Sequence, residues 1–153
     1  MEPAWHIAAG IGTAAAVYAL AGDTGLAAAS GLAEILVDCD HAIEHLLRSP
    51  RPFSVRSFFH KYNSLRWPHV VFFLHSHELV FGGAIAGLFI SSPLFWAVFF
   101  GYCMHMLIDQ IGNRLALAPC SLSPWFYFFT YRLFSGFRAD ITMRPKPEVF
   151  LED

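Results

Sequence analysis

At 153 residues the chain is sized for one domain. It is 56% hydrophobic and only 14% charged, with a mean hydropathy of +0.46, which sets it apart from an average soluble domain. The net charge of -2 is uninformative, but all ten basic residues lie at or after Arg48 and flank apolar runs, which argues against a nucleic-acid partner.

The start, Met1-Glu2-Pro3, lacks the positive region of a signal peptide, so the first apolar segment is expected to remain in the mature chain. That segment, residues 5–21, is rich in Ala and Gly, which let helices approach closely in lipid. Gly22-Asp23-Thr24-Gly25 predicts a short turn into an antiparallel second span over residues 25–47. Ser49-Pro50-Arg51-Pro52 ends it. Residues 53–67 alternate aromatic and basic side chains and suit the headgroup region. A third span is expected over residues 68–90 and a fourth over 94–117, each near the roughly 20 residues that cross a bilayer core. Pro119 to Pro124 breaks the last helix. Residues 125–137 are strongly aromatic and short for a span, so an interfacial helix is expected there. The predicted class is all-α: a polytopic membrane protein of about four transmembrane helices with interfacial segments, one domain over 1–138 and a polar tail over 139–153. Basic residues cluster in 48–66 and in the tail, which puts both on the cytoplasmic side and, with four spans, both termini as well.

The second span carries the unusual chemistry. Glu34, Asp38, Asp40, His41, Glu44 and His45 fall within three turns of an apolar run, and no Lys or Arg precedes Arg48 to neutralise the acids. Isolated carboxylates are strongly disfavoured in hydrocarbon. A divalent metal is the simplest counter-ion. The third span adds His75, Ser76, His77 and Glu78; the fourth adds His105 and Asp109, with Gln110 and Asn113 behind. Helical spacing pairs His75 with Glu78 and His105 with Asp109, and aligns Glu34, Asp38, His41 and His45. At about 1.5 Å rise per residue, His41 lies roughly 10 Å inside Arg48, His75 roughly 13 Å inside Arg66, and Asp109 roughly 7 Å inside Arg114. Three spans thus bring His and carboxylate groups to one level of one leaflet. Mixed His and carboxylate donors suit zinc, manganese or iron, as one ion or two.

Asp38-x-Asp40-His41, then His75-Ser76-x-Glu78, then Gly101-x3-His105-x3-Asp109 resembles the membrane-bound metal-dependent hydrolase family, whose ligand pattern is in turn similar to zinc-dependent phospholipase C and P1-type nucleases. Cys39 stands where that family commonly has Pro, and Leu74 where it has Thr. The resemblance implies hydrolysis by metal-activated water in a prokaryotic inner membrane, with Asp38, Asp40, His41, His75, Glu78, His105 and Asp109 as metal ligands. Glu78, Asp38 and Asp40 are the catalytic carboxylates, Glu78 being the candidate general base. Asn113 and His45 are placed to orient ligating groups, and Arg132, Arg114 and Asn113 to hold a substrate phosphate. Location at the cytoplasmic leaflet suggests a lipid phosphoester as substrate and membrane lipids as partners.

Other functions fit the same residues: a small transporter for metal ions or protons, or a non-catalytic protein using metal for stability. The blandest alternative is a hydrogen-bonded polar network holding the helices together. His6, His60 and His69, near predicted boundaries, are expected to be interfacial; Cys39 is expected to be a small packing residue, and for Glu34 a neutral, hydrogen-bonded acid is a reading equal to a place in the site.

Overall fold

The computed structural model describes residues 3–48, 68–114 and 120–145. Among the described residues the helices are α1 (Pro3–Ala21), α2 (Thr24–Leu36), α3 (Cys39–Arg48), α4 (His77–Gly87), α5 (Pro93–Arg114), α6 (Phe129–Phe134) and α7 (Ala139–Thr142). A 3-10 turn covers Pro124–Tyr127, and β1 (Cys120–Leu122) pairs antiparallel with β2 (Met143–Pro145). Among the described residues the fold is therefore all-α apart from one short ribbon. The chain divides into two compact units, Met1–Val37 with His77–Gly112, and Asp38–Ser76 with Asn113–Asp153.

In the first unit, α1 turns into α2 at Gly22, whose φ of +66° glycine adopts without strain. Asp23 caps α2: its Oδ1 accepts from Gly25 N at 2.7 Å and Leu26 N at 3.0 Å, a contribution of about 1 kcal/mol. The two helices close at a pair of glycines. A Cβ on Gly31 would lie 2.8 Å from the Gly10 carbonyl oxygen, so no larger residue fits without a shift. This contact sets the register that brings His6, a turn before Gly10, to Glu34, a turn beyond Gly31. Gly101 does the same between α5 and α2, since a Cβ there would overlap the Ser30 carbonyl. His105 follows one turn later.

The helices of this unit expose large apolar side chains, among them Ile11, Leu20, Leu32, Phe81, Ile85 and Leu94. Among the described residues one helix, Pro93–Asn113, is long and apolar enough to cross a membrane; Trp5–Ala21 is apolar but shorter.

Two expected spans differ. Residues 25–47 are not one helix: α2 stops at Leu36, Val37 and Asp38 form a turn, and α3 starts at Cys39. The polar side of α3, Asp40, His41, Glu44 and His45, is buried while Ile43, Leu46 and Leu47 are exposed. Of residues 68–90 only His77–Gly87 is an α-helix, about 16 Å long at helical rise and too short to cross a core of about 30 Å. The reason is visible in the backbone donors of the preceding segment, which are taken by two carboxylate side chains and one distant carbonyl. Val70 N donates to Phe137 O, Val71 N and Phe72 N to Glu44, and Leu74 N to Asp40. With those N–H groups satisfied elsewhere, no helical ladder is needed. The depth inferred for His75 from helical rise accordingly does not hold.

In the second unit, Ser123 accepts from Trp125 N at 3.3 Å and caps the 3-10 turn. Residues 125–137 thus form a 3-10 turn and the short α6 instead of one interfacial helix. The segment from Ala139 is not simply a polar tail either: Ala139 and Thr142 are buried in α7, and Met143–Pro145 pairs with β1. The expected headgroup segment 53–67, with His60 and Arg66, and the residues after 145 lie outside the described residues, as does the Arg114 side chain.

Candidate metal centres

The second unit holds Asp38, His41 and His75 in one group. Asp40 organises it without joining it. Its Oδ1 accepts from His41 Nδ1 at 2.6 Å, and its Oδ2 from His75 Nδ1 at 3.0 Å and Leu74 N at 3.0 Å. An ionised carboxylate only accepts, so both imidazoles carry their proton on Nδ1 and keep the Nε2 lone pair for another partner. Both Nε2 atoms face Asp38 Oδ1, His75 at 3.5 Å and His41 at 3.9 Å. Donors around a tetrahedral ion with bonds of about 2.1 Å stand roughly 3.4 Å apart. Little movement would close the group on a cation. A carboxylate that fixes the tautomer and tilt of ligating histidines is the usual outer support of a metal site.

The residues behind this group are pinned by charge-assisted bonds. Glu44 accepts from Val71 N at 3.1 Å and Phe72 N at 3.2 Å, and pairs with Arg48 at 2.9 Å. Arg48 also donates to the His69 carbonyl at 2.9 Å. The Phe72 ring stacks on His41 at 3.8 Å. Asp38 is the open side of the group, its side chain 29% exposed while that of His75 is 1% exposed.

The first unit holds a second group, His6, His105 and Asp109, all buried. His105 Nδ1 donates to the Glu34 carbonyl at 2.7 Å, which puts the ring proton on Nδ1 and makes Nε2 the acceptor nitrogen. His6 Nδ1 lies 3.2 Å from Glu34 Oε1, and its Nε2 lies 3.3 Å from Asp109 Oδ1. The His6 and His105 rings stack at 4.2 Å. His6 thus uses one nitrogen on Glu34 and turns the other toward the Asp109 carboxylate. Both groups could hold a divalent ion through three protein donors, which leaves a coordination position for water.

The predicted site residues therefore separate. Asp38, His41 and His75 come together, and His105 and Asp109 come together. Asp40 supports ligands where it was expected to be one. Glu78 is half-buried in the first turn of α4 and belongs to neither group, while His75 precedes that helix, so the expected face-sharing of the two does not occur. His45 is buried on α3. Asn113 donates to Tyr127 OH at 2.7 Å, and Arg132 is buried with Nη2 donating to the carbonyls of Phe72 and His75. Both are committed to structure where substrate contact was expected. His6 was missed. Its only early signal was the small-residue contact at Gly10, which carries it to Glu34.

No protein-family model, curated protein or solved structure matches the chain.

Proposed function

We propose that this protein is a membrane-embedded metal-dependent hydrolase that cleaves a phosphoester of a membrane lipid at the cytoplasmic leaflet. The carrying observation is the Asp38–His41–His75 group: two Nε2 lone pairs aimed at one carboxylate oxygen, with both Nδ1 protons held by Asp40. Two histidines and a carboxylate suit zinc, manganese or iron. A divalent ion bound there supplies a Lewis acid for a phosphoryl oxygen and makes water a better nucleophile near neutral pH.

The chain's own contributions follow from geometry. Asp40 holds both imidazoles in the ligating tautomer. Phe72 covers one face of His41 and keeps water from it. Asp38, the exposed member, marks the side from which water and substrate enter. His6, His105 and Asp109 are proposed to hold a second ion.

A lipid substrate and an inner-membrane location are supported by the apolar side chains exposed on α1, α2, α4 and α5, since a soluble protein rarely leaves large contiguous apolar patches bare. In this proposal α5 spans, and α1, α2 and α4 lie in the hydrocarbon beside it. The deciding experiment is metal analysis of the purified full chain, followed by a phosphoester panel of lipid and soluble substrates with zinc, manganese and iron. Metal-dependent release of a headgroup or phosphate is expected. Full stability without metal and no turnover on any substrate would end the proposal.

A further inference from the structure

Phe72 sits at φ +35°, a left-handed conformation that a bulky side chain rarely adopts. Such a residue persists only where its surroundings over-determine it, at a cost on the order of 1–3 kcal/mol. Here the surroundings can be named. On one side the Glu44 carboxylate accepts from Phe72 N at 3.2 Å. On the other, Arg132 Nη2 donates to Phe72 O at 3.0 Å and to His75 O at 3.0 Å. Arg132 is 1% exposed, and its guanidinium lies over the rings of Phe126 and Phe129 at 5.0 Å and 5.9 Å. A cation so far from water, spent on two carbonyls of one turn, fixes that turn on both sides of residues 73 and 74.

The consequence falls on both histidines. Holding Phe72 in this conformation stacks its ring on His41, and holding the His75 carbonyl sets the start of that side chain. Resting on the metal-centre proposal above, we infer that Arg132 is a positioning residue for the Asp38–His41–His75 centre: with Glu44 it clamps the Phe72–His75 turn so that both Nε2 atoms face Asp38, and it acts through the carbonyls of that turn. A planar guanidinium can serve two carbonyls at once in a fixed fork; a lysine ammonium is a compact point charge on a flexible stem and does not reproduce that geometry.

The test compares the purified full chain with Arg132→Lys and Glu44→Gln, and with Arg138→Gln as a control that removes an exposed arginine. Cobalt is the probe, read by its visible ligand-field absorption and by chelator competition. Wild type and the control should bind cobalt alike. The two clamp variants should bind about tenfold or more weakly, as outer-support losses do, with altered band intensity from a distorted donor set. Wild-type affinity and spectrum in both variants, with at most a lower Tm, would show a purely structural role and overturn the inference. If Arg132→Lys does not fold, Glu44→Gln decides alone by the same two readouts. Failure of wild type itself to bind any metal would instead overturn the metal-centre proposal, and this inference with it.

Discussion

His6 Nε2 lies 3.3 Å from Asp109 Oδ1, joining the first helix to the end of the fifth inside one compact unit. The same imidazole meets Glu34 through Nδ1 at 3.2 Å, so it is gripped from both sides by carboxylates. Buried acids need such partners or a cation. If the group holds an ion of its own, His6→Ala should reduce bound metal from about two ions per chain to about one, while Asp38→Ala should remove the other. Elemental analysis of the purified variants checks this. Unchanged metal content in His6→Ala would assign the contact to packing alone.

Asp40 and Asp38 differ by two positions yet play different parts, and that separates their variants. Asp38→Ala removes a donor atom, so the ion proposed for the second unit should be lost. Asp40→Asn leaves every donor in place but loosens the two histidines, and the amide nitrogen it introduces cannot accept from them. Metal affinity should fall about 10- to 100-fold without disappearing, read by competition with a chelator. Equal effects of the two variants would mean that Asp40 ligates directly.

Much of what the structure gathers into groups that could hold a metal was legible because burying acids in an apolar chain without basic partners is costly wherever the helices lie. Asp38, His41, His75, His105 and Asp109 all sit in a candidate group. The path of the chain was less legible. Apolar composition makes residues 68–76 look helical, but composition is blind to Glu44 and Asp40 capturing the amide donors of Val71, Phe72 and Leu74. His6 escaped notice for a related reason: its partner lies across a helix pair whose register is set by two glycines, a packing fact rather than a pattern of spacing.

Phe72 permits a test that parts backbone from side chain. Both Phe72→Ala and Phe72→Gly delete the ring stacked on His41, and deleting a buried Phe costs about 3–5 kcal/mol. Only glycine relieves the φ of +35°. Phe72→Gly should therefore be more stable than Phe72→Ala by about 1 kcal/mol, the reverse of the usual preference for alanine. Parallel thermal unfolding measures the difference, and Ala above Gly would mean that the turn relaxes once the ring is gone.

Exposed side chains such as Leu20, Leu88 and Phe89 predict how the protein partitions. On cell fractionation the chain should remain with membranes through an alkaline carbonate wash and leave only with detergent. Release by carbonate would restrict the protein to a peripheral position and remove the support for a lipid substrate.

Gly101 ties stability to the site most directly. A Cβ there would overlap the Ser30 carbonyl and stand 3.1 Å from the Ala33 methyl, so Gly101→Ala should push α5 off α2 at about 1–3 kcal/mol. Gly12→Ala is the control: nothing lies within 4 Å of its added methyl, and alanine in a helix interior should stabilise by roughly 0.5–1 kcal/mol. The two also part at the metal group. His105 stands one turn beyond Gly101, and its Nδ1 donates to the Glu34 carbonyl at 2.7 Å, a bond that a displaced α5 stretches. Gly101→Ala should therefore lose metal from the His6–His105–Asp109 group at temperatures where it is still folded, whereas Gly12→Ala should keep it. Loss of stability in Gly101→Ala with full metal retention would show that the register at Gly101 does not govern where His105 points.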